Sequence, residues 1–387
     1  MKILFCGDIV INHSNNFTLS KELQNLIQSH EICCCNFEAP IIKKNNIPPL
    51  IKAGPAIAQT ICSGEAVISA GFNLISLANN HIMDFGRSGL EQTLNFFETK
   101  SIKTIGAGFS SNEIYTPYIT MDEKNRTIAI MSLAQAEFGV YKTDAAICGY
   151  AWINHPDIIR RIQELKKTVD ILIIFSHAGL EGELIPLPEW QTCYRNLIDH
   201  GVDIVIATHP HIIQGNETYK GKKIFYSLGN FYFDLIKMKD DFEWNRSIVI
   251  SIDSNEINSI QIIPISVYNG VLNIDKNKEI LSDISLRSSV LCNQSELNQK
   301  ADMLAEKLWN KYYKSYYLSL FPAISFCNIK KFIMKRLFQR ATTNEYFLDE
   351  TMLLHNIQIE SHRWLVERYL YNKNIEVNKV FLNEDDR

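Results

Sequence analysis

No stretch of this 387-residue chain approaches the roughly twenty consecutive apolar residues that a membrane helix needs. Positive charge is not in excess either: 39 Lys and Arg stand against 43 Asp and Glu, a net −4. That balance excludes a general nucleic-acid binder, which needs a basic surface to neutralise phosphate. Cysteine is present nine times, yet no CxxC pair occurs, and the odd count with three in a row at Cys33 to Cys35 fits no disulfide framework. Small buried thiols in a reducing compartment are the reading. The opening "MKILFCGDIV" offers one Lys and an apolar run too short for a signal sequence, so a first strand of a cytoplasmic protein is expected there. Internal repeats are also missing. What remains is an ordinary globular composition, 46% hydrophobic and 21% charged, long enough for one large domain and an appendage.

Ile- and Val-rich runs alternate with helical patterns through the first two-thirds. "KILFCGDIV", "EICCCNFEAP", "FNLISLANNH", "DILIIFSHAG", "DIVIATHPH" and "KKIFYSLGNFYFD" read as strands. Between them lie helices such as a Pro-started "PAIAQTICSGEAVISAG" closing on Gly71, and one from about Asp157 to Thr168. "YTPYITMDEKNRTIAIMSLAQ" reads as a hairpin turning at Glu123 to Arg126. Near-continuous apolar strands with intervening helices predict an α/β fold with both sheet faces covered. The texture turns helical near residue 290, which divides the chain into a 1–290 domain and a 291–387 helical extension. Within the extension, "LFPAISFCNIKKFIMKRLFQR" (320–340) mixes basic and apolar residues. It suits a helix packed on the α/β body, a peripheral contact with an anionic membrane, or a dimer or polyanion contact.

The strand exits share a chemistry. Asp8 follows "ILFCG", Asn36 and Glu38 follow "ICCC", and Asn80 and His81 follow "LISLA". His177 follows "ILIIFS", His209 and His211 follow "IVIAT", and Asn230 follows "IFYSLG". The carboxyl ends of strands in an α/β sheet form one rim where ligands bind. Singly, each residue could be a cap or a turn-holder. Jointly, imidazoles and carboxylates point to divalent Zn, Mn, Fe or Ni, and two such ions can clamp one oxygen. All nine are candidates for such a site. His81 is a candidate general acid or base, oriented by Asp84, which could otherwise cap the helix after Gly86. Glu181 suits a base or the binding of a substrate amine, and it could equally be solvated. Asn36 and Asn230 are expected to bind substrate.

The motifs "GDIV", "NFEAP", "ANNHIMDFG", "GAG", "HAGLE", "ATHPHIIQ" and "YSLGNFYFD" occur in the order found in CapA-type proteins, which this chain resembles over about residues 1 to 270. These belong to the calcineurin-like metallophosphoesterase superfamily and are linked to poly-γ-glutamate capsule synthesis. The resemblance implies a four-layered α/β/β/α sandwich with a dinuclear metal site between two sheets. Asp8 matches the first motif's Asp, Glu38 the bridging acid, and Asn80 with His81 the third motif. His177 matches the lone His, and His209 with His211 the last pair. The resemblance thus implies Asp8, Glu38, Asn80, His177, His209 and His211 as metal ligands. Val10 stands where phosphoesterases have a His, which leaves one ion with Asp8, Glu38 and His211; His13 could fill that gap or be a loop bystander. Ala178 stands where CapA-type proteins usually have an aromatic, and the family's usual N-terminal anchor is not expected here. The implied function is a metal-dependent enzyme that acts on a γ-glutamyl polymer or peptide, by hydrolysis or transfer with a metal-activated hydroxide. Peptide epimerisation through α-carbon deprotonation is the first alternative. A non-enzymatic partner in capsule assembly, docking through 320–340, is the second.

Overall fold

The run Lys2–Val10 is an interior strand of a nine-stranded sheet in the computed structural model, which describes residues 1–12, 17–43, 47–143, 146–234, 241–257, 259–268, 270–319 and 344–384. His13 and the 320–340 segment lie outside the described residues. Eight of the nine residues in Lys2–Val10 are buried, which is why the run shows no polar alternation. Ile32–Phe37 pairs with it in parallel on one side. On the other side the partner changes along its length. Lys2 to Phe5 pair antiparallel with Arg246–Asp253, whereas Asp8 to Val10 pair in parallel with Asn230–Phe233. The sheet forks at Gly7, where a Cβ would lie 1.9 Å from the Gly229 carbonyl oxygen, so only glycine fits. Register shifts beside Asp8 accompany the fork. Leu74–Ser76 and Lys103–Ile105 extend the parallel part of the sheet.

A six-stranded sheet orders Asn216–Tyr219, Lys222–Phe225, Ile204–Thr208, Ile171–His177, Thr127–Ala134 and Tyr118–Met121, and a small three-stranded sheet holds Gly149–Ala151. The two large sheets contribute to one apolar core. Phe5, Cys34, Leu74 and Ile250 enter it from the first, and Ile130, Ile173, Phe175 and Ile206 from the second. The rings of Phe5 and Phe175 meet at 5.4 Å between centroids. Cys6 and Cys33 to Cys35 are buried free thiols, and burial pushes each of them up from the usual thiol range.

Local chemistry sets the element ends. The helix expected to start at Pro55 spans Ile61–Ala70 instead. Thr60 and Ser63 form a reciprocal capping box that satisfies its first free N–H groups, which Pro55 could not do, and Gly71 at φ 110° closes it. The hairpin Tyr118–Met121 with Thr127–Ala134 forms around Asp122, whose carboxylate accepts the Lys124 and Arg126 N–H groups. The described residues divide into two compact units, 1–50 with 56–294 and 51–55 with 295–387. The second carries the helices Lys314–Ser319, Asn344–Gln358 and Glu360–Glu384 and most of Gln294–Leu308, with Trp309 stacked on Tyr369 at 4.8 Å. The chain is thus mixed α/β with a helical C-terminal region. Among the described residues, no helix is long and apolar enough to cross a membrane.

Candidate metal centre

Asp8 pairs with Asn36 in the neighbouring parallel strand and with Asn230 at the start of another, while Glu38, Asn80, His177, His209 and His211 stand at or just past strand ends. Asp8, Asn36, Glu38, Asn80, His177, His209, His211 and Asn230 are all buried around one point. The turns that carry them are bent to do so. Ala39, after Glu38, has φ 126°, and His209 and His211 have φ 98° and 63°. A left-handed conformation is costly for a residue with a side chain, and here it aims two imidazoles from one three-residue turn.

Asp8 is the hub of one side. Its Oδ1 accepts from Asn36 Nδ2 at 2.7 Å and lies 3.3 Å from His177 Nδ1. Its Oδ2 accepts the His209 backbone N–H at 3.1 Å and lies 3.4 Å from His211 Nδ1. Glu38 is the hub of the other. Its Oε1 is 3.7 Å from His177 Nε2, 3.7 Å from His211 Nε2 and 4.0 Å from His81 Nε2. Asn80 Oδ1 stands 3.1 Å from His177 Nε2, and His209 Nδ1 stands 3.0 Å from the same nitrogen. His211 is seated between Phe233 and Trp244, with ring centroids 4.9 and 5.0 Å away.

Charge is distributed unevenly. Burial opposes ionisation of Asp8, yet the His177 and His211 rings hold its carboxyl well below the usual carboxylate range. Burial pushes the Glu38 carboxyl well up, and the charges of Asp8, Glu181 and Glu137 add to this against the pull of His211. Burial keeps His177 low in spite of Asp8. Burial, with the His177 and His211 charges, keeps His209 lower still. Burial also works against His211, but Glu38, Asp8 and Glu181 raise it to about 10.

This set fits divalent cations. Glu38 is fully buried and neither of its carboxylate oxygens has a hydrogen-bond partner. Such a group is expensive in a folded protein unless a cation meets it. Asp8, Glu38 and His211 bring donor atoms within 4.8 Å of one another, and so do Glu38, His177 and His209, two triplets that share Glu38. Exposed Glu181 forms a further such triplet with His209 and His211.

The remaining expected residues are set as follows. His81 Nδ1 is 2.7 Å from Asp84 Oδ2, which also accepts the Ile57 N–H at 2.8 Å, so Asp84 serves His81 and a loop rather than a helix N-terminus. The helix Gly86–Thr99 has Phe85 at its cap and no side-chain cap bond. Asn36, fully buried, commits its amide to Asp8, to His177 Nδ1 at 3.0 Å and to Asn79 Nδ2 at 3.0 Å. Asn230 Oδ1 lies 3.0 Å from His211 Nδ1, and its Nδ2 donates to the Trp244 carbonyl at 3.4 Å. Both amides therefore orient the centre's acids and imidazoles. Asn79 Oδ1 accepts the N–H groups of His81 and Ile82 and holds their turn. Two residues, Gln135 and Glu137, escaped the sequence reading. Gln135 and Glu137 contact His209 from the exit of Thr127–Ala134, a further strand end whose "AQAEFG" was the available signal.

The centre runs from Asp8 to Asn230, inside the span 2–235 that a family model matches. The PGA biosynthesis protein CapA of Bacillus subtilis (strain 168) is 29% identical over 239 residues, 59% of this chain and 62% of that protein. The capsule biosynthesis protein CapA of Bacillus anthracis is 26% identical over 238 residues, 58% of this chain and 56% of that protein. A probable polyglutamine synthesis accessory protein of Mycobacterium tuberculosis (strain CDC 1551 / Oshkosh) is 28% identical over 172 residues, 42% of this chain and 45% of its own. The chain thus spans about three fifths of the length of the Bacillus relatives it matches. The model of the family described as bacterial capsule synthesis protein PGA_cap matches residues 2–235, every position of the centre included, and the chain belongs to that family.

Proposed function

We propose that this chain is a metal-dependent enzyme of capsule poly-γ-glutamate biosynthesis, acting on an amide-linked, carboxylate-rich chain at the Asp8–Glu38 centre. The two large sheets would form the inner layers of a four-layered α/β/β/α sandwich. Asp8, Glu38 and His211 would hold one divalent ion, and Glu38, Asn80, His177 and His209 a second. Bound there, the ions supply Lewis acidity toward a carbonyl or phosphoryl oxygen. The observation that carries this reading is Glu38, a buried carboxylate whose oxygens have no hydrogen-bond partner and face imidazole nitrogens. The names of the Bacillus relatives support the substrate class.

His81 supplies the proton chemistry. Asp84 holds its Nδ1 at 2.7 Å, which fixes the ring so that Nε2 faces the Glu38 side of the centre. A proton held or released at Nε2 would serve amide cleavage at the leaving nitrogen, or exchange at an α-carbon in epimerisation. The test uses the full chain, loaded in turn with Mn, Zn, Fe and Ni, and γ-glutamyl oligomers in deuterated water. New amine signals the hydrolysis or transfer preferred here, and deuterium at an α-carbon with no new amine signals epimerisation. Neither, with binding to anionic vesicles, points to the assembly-partner role. His81→Ala should retain its metals and lose about 10²-fold or more in turnover. Loss of metal together with turnover would move His81 into the ligand set.

A further inference from the structure

We infer that Glu137 is a positioning residue that clamps Asn80 and His209 by the atoms they do not offer to metal. The inference rests on the metal reading above. Glu137 is buried, 7% exposed, at the exit of Thr127–Ala134. Its Oε2 accepts from Asn80 Nδ2 at 3.2 Å, and its Oε1 lies 3.4 Å from His209 Nε2. Gln135 braces the same oxygen, donating from Nε2 at 2.6 Å while that nitrogen sits 2.8 Å from His209 Nε2. The Gly179 N–H on Gln135 Oε1, at 3.2 Å, sets which way round the Gln135 amide sits. Fully buried Tyr150 fixes the loop: its hydroxyl accepts the Glu137 N–H at 2.9 Å and donates to the Gln135 carbonyl at 3.2 Å.

The chemistry explains why an acid stands there. The two ends of an Asn amide have the same shape, and only the oxygen can bind a cation. A carboxylate can only accept, so it selects the NH2 end of Asn80 and leaves Oδ1 toward His177 Nε2, where it is found at 3.1 Å. Glu137 Oε1, 3.4 Å from His209 Nε2, is the acceptor on that side of the ring and leaves Nδ1 inward, 3.0 Å from His177 Nε2. Groups that orient ligands in this way matter for affinity as well as geometry.

The experiment measures Mn and Zn affinity of the full chain by competition with a chromophoric chelator. Glu137→Gln must set an NH2 against one of two donors, Asn80 Nδ2 or Gln135 Nε2, and affinity should fall about 10–100-fold. Glu217→Gln removes an equally buried acid that holds Arg195 and Tyr226 elsewhere, and it should lower Tm without moving metal affinity. Reversed polarity gives the sharper arm. In an Asn80→Asp background a Gln at 137 can donate to the new carboxylate, so the substitution should there cost less than about threefold. Should Glu137→Gln fail to fold, Glu137→Asp, which draws the carboxylate back from both partners, should weaken binding as well. Equal losses in both backgrounds, or no loss from either Glu137 variant, would overturn the clamp while leaving the metal centre standing. A wild-type chain that takes up no metal would overturn both.

Discussion

At the residue scale, Glu38 sets activity against stability. A carboxylate with no hydrogen-bond partner in a dry interior destabilises the metal-free chain, and the same property readies it for a cation. Glu38→Gln removes the charge and keeps the shape. After chelation the variant should therefore be more stable than the wild type by about 1–3 kcal/mol. It should also co-purify with far less metal. Thermal unfolding of the chelated proteins together with metal analysis checks both statements, and a lower Tm for the variant would contradict them. Residues of this kind were legible in the sequence because a charged or imidazole group directly after an apolar strand has few structural reasons to be there. Glu137 was less legible, since "AQAEFG" alone does not distinguish an acid in solvent from one gripping two neighbours. Asn36 and Asn230 were legible as polar groups at strand ends. Their partners, Asp8 and His211, depend on distances that no sequence spacing encodes.

Elements are joined by a few buried polar ties, of which Asp203 is the clearest. It precedes Ile204–Thr208, accepts the Leu172 N–H at 2.8 Å, and meets Lys166 Nζ at 2.7 Å and Lys222 Nζ at 2.5 Å. One carboxylate thereby links the helix Ile158–Lys166 to three strands of the six-stranded sheet. Burial opposes its charge, but the two lysines and the Leu172 N–H hold its carboxyl below the usual range. The depressed value means that its contribution is fully present above the unfolded carboxyl value of about 3.9 and is lost as pH falls through the folded one. Asp203→Asn should cost about 1–3 kcal/mol at pH 7. The gap should narrow below about pH 4, as urea titrations at pH 7 and pH 3 would reveal. A gap that ignored pH would mean that the charge is not its source. The elements themselves were readable from periodicity and caps, down to Gly71 closing Ile61–Ala70. The start of that helix was not, because Pro55 is a permissive first residue while the Thr60–Ser63 exchange is a specific one.

At the scale of the whole molecule, the alternation of strands and helices announced an α/β architecture, and the motif order pointed to the family. The order of strands within each sheet was not readable, because apolar runs of similar composition do not name their neighbours. That order has a consequence for synthesis. Lys2–Val10 is an interior strand, and one of its edges waits for Arg246–Asp253 and Asn230–Phe233. At roughly 5–20 residues per second, Arg246 follows Val10 off the ribosome by on the order of ten to fifty seconds. Through that interval the unpaired backbone edge of a largely apolar strand stands open on the nascent chain, a template for pairing with other chains. Ribosome-stalled chains with residues up to 240 outside the exit tunnel should be digested by a trace of protease, whereas those exposing residues up to 294 should resist it. Equal resistance at both lengths would show that the first strand finds a temporary partner. Otherwise Lys2–Val10 stays open to chaperones and to other chains until Asn230–Phe233 and Arg246–Asp253 arrive.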